Sequence, residues 1–205
     1  MYARSNTFPT RPDHIDPATA HISRDVLPAL KTMPGFVGLS LMVGRQDGRC
    51  ILTTAWDSGE AMWASADAVR PLRDSTTAAF GGGPVSVDQW QIVALHRDHG
   101  AGSWVRSTWL KLPADRFNQA LEFCVSSVLP ALEDLDGFCS ASLMTDADSR
   151  RAVISASYAD AEALDRNRES ARSLRAARLR DLGADQLDVG EFEMAIAGLR
   201  VPAMA

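Results

Sequence analysis

Two arginines three residues apart on a predicted helix, Arg70 with Arg73, place two guanidinium forks on neighbouring positions of one face, and Arg172 with Arg175 repeat the arrangement later in the chain. Such a pair can clamp an anionic ligand. It can equally tie its helix to Glu60 or Glu162 by ion pairs, and its presence twice suits a requirement of the fold. The histidines His14, His21, His96 and His99 do not share metal-ligand spacing on one element, and a solvated linker accounts for the close His96 and His99 without zinc. No metal site is expected. Cys50, Cys124 and Cys139 are an odd number without Cys-x-x-Cys spacing, each in an apolar segment, and read as buried free thiols. Neither a dinucleotide fingerprint, a phosphate loop nor a nucleophile elbow is present. Gly81-Gly82-Gly83-Pro84 follows a helix where a phosphate cradle would precede one, so it is a turn.

The charge of the whole chain narrows the partners. Across 205 residues, 46% apolar content is enough for ordinary globular cores, and a net charge of −5 supplies no basic field for a phosphate backbone. Nucleic acid is therefore not an expected partner. Met1 to Pro12 lacks the apolar run of a signal peptide, and no stretch approaches eighteen uninterrupted apolar residues, so neither secretion nor a membrane span is expected and the cytoplasm is the expected compartment.

These residues sit in a chain that repeats itself. Val26-Leu27-Pro28-Ala29-Leu30 recurs as Val128-Leu129-Pro130-Ala131-Leu132, an offset of 102 residues. The same offset pairs Gly35-Phe36 with Gly137-Phe138, Ser40-Leu41-Met42 with Ser142-Leu143-Met144, Arg4-Ser5 with Arg106-Ser107, and Glu60-Ala61 with Glu162-Ala163. One register held over this span denotes a tandem duplication. Arg97 to Ser103 reads as a short polar linker, which gives domains of 1–97 and 103–205 and is too short for the halves to tumble independently. Charged residues kept by both copies are Arg4, Asp13, Arg49, Glu60, Arg70 and Arg73 with their counterparts.

Each half is expected to run β-α-β-β-α-β. Tyr2 to Phe8 and Trp104 to Leu112 are first strands; Ile22, Val26, Leu30 and Met33, with Cys124, Val128, Leu132 and Leu135, form helical stripes. Pro28 and Pro130 should kink those helices or set off their last turn. Phe36 to Val43 with Cys50 to Trp56, and Phe138 to Thr145 with Ala152 to Tyr158, make hairpins. A second helix starts at Asp57-Ser58 or Ala159-Asp160 and runs to Gly81 or Gly183, and Trp90 to Leu95 and Phe192 to Ala197 are last strands. The fold class expected is α+β: two ferredoxin-like repeats packed sheet to sheet, doing in one chain what a homodimer of single copies does.

The helix ending in Pro34-Gly35-Phe36, the strand Ser40-Leu41-Met42 and the segment Thr54-Ala55-Trp56-Asp57-Ser58-Gly59-Glu60-Ala61-Met62 resemble the antibiotic biosynthesis monooxygenase family of the dimeric α+β barrel superfamily. Ser157-Tyr158-Ala159-Asp160-Ala161-Glu162-Ala163-Leu164 resembles it more loosely. The resemblance implies the barrel fold and, for its monooxygenases, oxidation of a small aromatic or quinol by molecular oxygen without metal or flavin. It implies an apolar pocket, a group that orients the ring and a group that stabilises an oxyanion. In this chain it points to Asn6 and Trp56 as catalytic candidates and to Arg70, Arg73 and Trp63 as substrate-binding candidates. Each has a structural alternative. Trp56 is replaced by Tyr158 in the second half, as a core aromatic would be; Trp63 is matched by Asp165, as a surface residue would be; Asn6, replaced by Thr108, can complete a local hydrogen bond.

Haem-degrading members of the superfamily carry an asparagine on the first strand and a histidine in the second helix. Asp74 and Ala176 stand at that helix position here, which counts against haem. The function expected is thus a cofactor-independent monooxygenase, or else a non-catalytic, small-molecule-binding or stress-related protein on the same barrel, with a small aromatic ligand as partner and further homo-oligomerisation open.

Overall fold

The computed structural model describes residues 1–97 and 102–198, so most of the linker expected over 97–103 lies outside the described residues. Both halves have the same sequence of elements. In the first these are β1 (Tyr2–Pro9), α1 (Pro12–His21), α2 (Leu27–Lys31), β2 (Phe36–Gly44), β3 (Arg49–Trp56), α3 (Gly59–Ala64), α4 (Ala66–Ala79) and β4 (Ser86–Arg97). The second has β5 (Trp104–Lys111), α5 (Phe117–Phe123), α6 (Leu129–Glu133), β6 (Phe138–Asp146), β7 (Arg151–Tyr158), α7 (Ala161–Arg166), α8 (Arg168–Leu182) and β8 (Asp185–Ala197). Hydrogen-bonded neighbours run β1-β3-β2-β8-β5-β7-β6-β4 in a closed antiparallel barrel, the α+β fold class that the repeat predicts.

By contact the chain divides into a unit of Met1–Gln91 together with the end of β8 from Phe192, and a unit of Ile92–Glu191. Strands β4 and β8 are longer than the apolar stretches Trp90 to Leu95 and Phe192 to Ala197 suggest, and each contributes its two ends to different units. In the first unit β1 lies between β3 and β4, pairing Tyr2 with Trp56 and Arg4 with Gln89, while β2 takes the end of β8 as its outer neighbour, Leu41 opposite Ile196. Because side chains alternate along a strand, Arg4, Asn6 and Phe8 share one face of β1. On the helix side the first unit packs Phe8, Ile15, Ile22, Leu41, Leu52, Trp56, Met62 and Phe80 into one core. The second unit packs Leu110, Cys124, Leu143, Ile154, Tyr158, Leu164 and Leu182 in the same way.

The first helix begins at Pro12, a turn and more before the apolar stripe suggests, with proline tolerated at its first position. Pro28 and Pro130 act through a local change of pitch: Ile22–Val26 and Cys124–Val128 are π-helical turns, and the amides of Leu27 and Leu129 reach back to the carbonyls of Ile22 and Cys124. The wider turn makes room for the proline ring that an α-helical carbonyl would meet, so the helix continues. Gly35 and Gly137 follow the helix ends at φ of 75° and 72°, where a Cβ would come within 2.5 and 2.6 Å of Ala61 and Ala163. Only glycine combines that conformation with so close an approach of the next helix.

The second helix is not continuous. It is N-capped by Ser58 and Asp160, whose side chains accept from the amides of Ala61 and Ala163 at 3.1 and 2.7 Å, and it breaks at Ser65 and Asn167. Ser65 Oγ donates back to the Met62 carbonyl at 2.7 Å, and Asn167 Nδ2 donates to the carbonyls of Ala163 and Asp136. Short polar side chains compete with the backbone for these carbonyls, which is why a single helical stripe in the sequence becomes two helices in each half. Among the described residues no helix is long and apolar enough to cross a membrane.

Burial pushes the thiol of Cys50 up to about 11 and that of Cys124 to about 12. Both thiols are therefore expected to stay unlabelled by iodoacetamide at pH 8 in the folded protein and to label fully in denaturant. Mass spectrometry of the two samples checks this, and native-state labelling at either position would contradict the burial.

Candidate functional site

In the first unit a cavity opens between the sheet and the helices. Its floor is the helix-facing side of β1 and β3, carrying Arg4, Asn6, Phe8, Leu52 and Thr54; its walls are Val26 and Leu30 from the first helix, and Val69, Leu72, Arg73 and Thr76 from α4. The cavity is partly enclosed, with about 30 Å3 of interior space. That is room for a head group of a few atoms or about one or two waters, far below the 300–1,000 Å3 of a pocket enclosing a drug-sized ligand.

Arg4 is 95% buried through its position on the core-facing side of β1, with 5% exposed. Its guanidinium donates to the Met62 carbonyl at 2.5 Å and to Ser65 Oγ at 3.2 Å, both at the break between α3 and α4. The break thus serves the site: it presents a carbonyl and a hydroxyl to a buried cation. No carboxylate among the described residues pairs with Arg4. Arg73, half-buried on the cavity wall, likewise has no ion-pair partner among them. Burial, and then the adjacent positive charge of Arg73, lower the Arg4 value from its ordinary level.

Asn6 is 6% exposed, and its Oδ1 is buried without a hydrogen-bond partner. A buried amide carbonyl left unpaired costs about 1–3 kcal/mol, so the position is one where structure alone is unfavourable. Thr54 and Thr76 do not relieve it. The Thr54 hydroxyl donates to the Arg4 carbonyl at 3.3 Å, and that of Thr76 to the Leu72 carbonyl at 2.7 Å.

The structure brings Asn6 and Arg73 into one cavity with Arg4, and places the other candidates elsewhere. Trp56 is fully buried in the core, edge-on to Phe36 with centroids 5.6 Å apart, and its Nε1 donates to Thr54 Oγ1 at 3.2 Å. Trp63 is 58% exposed, leans on Tyr2 and donates from Nε1 to Gln89 Oε1 at 3.1 Å. Arg70 faces solvent and pairs with Asp67 at 2.8 Å rather than with Glu60. The pair Arg70 and Arg73 is therefore not a clamp: a spacing of three on α4 sends one outward and the other to the cavity edge. In the second half Arg172 is exposed, and the side chain of Arg175 lies outside the described residues. Sequence reading marked Arg4 as kept by both halves but did not place it at the site; the signal was an arginine on the apolar face of a core strand.

The second unit resolves the same arginine differently. Arg106, the counterpart of Arg4, is also 5% exposed and donates to the Leu164 carbonyl at 3.1 Å, but Glu191 meets its Nε and Nη2 at 3.0 and 2.8 Å. Arg168 holds the same carboxylate at 2.8 Å from the other side. Glu191 is pushed up by burial but pulled further down by hydrogen bonds from Arg168 and Arg106, and its net shift is downward. At the repeat offset, position 191 corresponds to Gln89 and Arg168 to Ala66. The carboxylate that neutralises one buried arginine is absent beside the other.

The cavity does not fit haem. None of its lining residues is a histidine, cysteine, methionine or tyrosine able to ligate iron, Asp74 on α4 is exposed, and the enclosed space is a small fraction of what a macrocycle needs. Among the described residues no group of three or more potential metal ligands occurs.

Comparison with solved structures extends the fold. The chain is similar to an anthrone oxidase-like protein, with a TM-score of 0.67 and 12% identity over 100% of this chain and 96% of that one. It is also similar to a monooxygenase-like protein from Listeria innocua, with a TM-score of 0.54 and 8% identity over 94% and 93% of the two chains. A heme-degrading enzyme from Listeria monocytogenes, LmHde, shares the fold with a TM-score of 0.55 and 10% identity over 94% and 99%. At such identities the likeness is one of fold. No protein-family model matches the chain. Two uncharacterized proteins of Mycobacterium tuberculosis are far nearer in sequence: Rv2557 is 50% identical over 98% of this chain and 91% of its own length, and Rv2558 is 51% identical over 98% and 86%. Identity of this order along nearly the whole of both chains means that the protein belongs to the family of Rv2557 and Rv2558.

Proposed function

We propose that the first unit is a ligand site and that the protein is a cofactor-independent monooxygenase acting on a small aromatic or quinol substrate, with molecular oxygen as co-substrate. The observation that carries this reading is Asn6: a lining residue of the cavity whose buried carbonyl has no donor, beside the apolar walls Phe8, Val26, Leu30, Leu52, Val69 and Leu72. A ring hydroxyl would supply the missing hydrogen bond, and the apolar walls would take the edge of the ring. An electron-rich ring oriented in this way is the reductant such a reaction needs, and resemblance in fold to an anthrone oxidase-like protein is consistent with it.

A second reading, a binding protein without catalysis, is favoured by the small enclosed volume of about 30 Å3, which leaves most of any ring at the cavity mouth. Oxygen uptake with a panel of hydroquinones separates the two. Under the first reading, purified protein consumes oxygen, and Asn6→Leu lowers the rate about 100-fold, as removal of a group holding the reacting oxygen commonly does. The same variant should unfold no earlier than the parent, because it replaces an unpaired buried amide by an apolar side chain of similar size. No uptake with any hydroquinone favours the binding protein.

A further inference from the structure

Comparison of the two units shows what is missing from the first. Both hold an arginine, Arg4 or Arg106, almost wholly buried on the first strand and hydrogen-bonded to a carbonyl of the short helix after the hairpin, Met62 in α3 or Leu164 in α7. In the second unit a glutamate completes the arrangement at 2.8 Å. In the first, the equivalent residue is Gln89, directly across the sheet from Arg4 and engaged with Trp63, while Arg73 brings a further positive charge to the cavity that Arg4 lines. Two guanidinium groups around one apolar-walled space, with no carboxylate among the described residues to balance them, form a site with an unmet demand for an anion. The enclosed space of about 30 Å3 suits a head group of a few atoms, and the aliphatic side chains of Val26, Leu30, Val69 and Leu72 suit an apolar body behind it.

We infer that the ligand of the first unit is a small monocarboxylate with an apolar body, its carboxylate received by Arg4 and Arg73, so that Arg4 gains from the ligand the counter-charge that Arg106 gains from Glu191. This deepens the proposed function, since it rests on the first-unit cavity being the ligand site. It also accounts for the asymmetry of the two copies: one buried arginine is satisfied by the chain itself, the other is left for a ligand. Arg4 and Asn6 stand two apart on the same face of β1, so a carboxylate on Arg4 lies next to the Asn6 side chain in the cavity that both line.

Binding measured anaerobically by calorimetry on the full chain tests this without reference to turnover. The probes are 4-hydroxybenzoate and its neutral counterpart 4-hydroxybenzamide, at fixed ionic strength. The acid is expected to bind at least tenfold more tightly than the amide. Arg73→Gln and Gln89→Glu should each weaken the acid at least tenfold, the first by removing a cation and the second by giving Arg4 the carboxylate that Glu191 gives Arg106. Lys31→Gln, which removes one exposed charge from the same unit, should change binding less than twofold. Gln89→Glu is the decisive variant, because it is expected to fold at least as stably as the parent while losing the ligand, so lost binding cannot be attributed to unfolding. Equal affinity for acid and amide, no binding of the acid at millimolar concentration, or full binding by Gln89→Glu would each overturn the inference. Oxygen uptake with neutral hydroquinones alongside equal affinities would overturn it while leaving the proposed oxidation standing. Preferential binding of the acid without any uptake would uphold the inference and leave the binding protein as the reading of function.

Discussion

Glu191→Gln is expected to destabilise the second unit by about 3 kcal/mol, the lower end of the cost of breaking a buried ion pair by removing one partner. Arg106 is 5% exposed and cannot turn to water when its counter-charge goes, whereas the Glu191 side chain is 29% exposed, which tempers the loss. The variant reproduces in the second unit the charge state that the first unit has naturally at Arg4 and Gln89. The dependence on pH follows from the same pair. The folded value of Glu191 lies below its ordinary one, so the stability it contributes is fully present above the unfolded value, about 4.3, and is lost as the pH falls through the folded value. The difference in unfolding free energy between parent and variant should therefore be whole at pH 7 and shrink steadily below about pH 4. Urea denaturation at a series of pH values checks both statements; a difference that persists unchanged at acid pH would mean that the Glu191 carboxylate is not the origin of the loss.

Trp56→Ala should cost about 3–5 kcal/mol, as removal of a large aromatic from a packed core does. The indole is fully buried, edge-on to Phe36, and anchored through Nε1 to Thr54. Trp56→Phe keeps much of the volume and should cost about 1–2 kcal/mol, from the lost hydrogen bond and a partial void. This pair also decides the role of the residue. If Trp56 acts through packing, the phenylalanine variant lowers the thermal midpoint but retains oxygen uptake or ligand binding within a few-fold. A variant of parental stability with those properties abolished would instead make Trp56 a contact of the ligand. The geometry favours packing, since Tyr158, equally buried, occupies the corresponding place in the second core.

Much of the fold was legible because the features that carry it are local. A proline within a helical stripe must disturb the backbone near it, a serine or aspartate before Gly59 or Ala161 can cap, and glycine at 35 and 137 permits a conformation closed to other residues. The repeat doubled each of these signals. Less legible was the break of the second helix, because Ser65 and Asn167 end it through side-chain hydrogen bonds rather than by poor propensity, and neither type is rare within helices. The candidate site was legible only in part. Asn6 and Arg73 were found through the family resemblance, but periodicity could not separate Arg73 from Arg70, since residues three apart on a helix differ by 60° and lie close to a boundary between buried and exposed faces.

By itself the sequence determined the duplication, the class and order of the elements and the net charge of −5. All of these depend on spacing along the chain and on summed charge. Only the tertiary structure decided which of two equivalent buried arginines has a carboxylate, because Arg106 and Glu191 are 85 residues apart and meet through the register of neighbouring strands. Register likewise set Gln89 against Arg4 and left the Asn6 carbonyl without a donor. A charge has no demand for a partner until folding takes it out of water, and which groups are taken out together is a property of the packed chain.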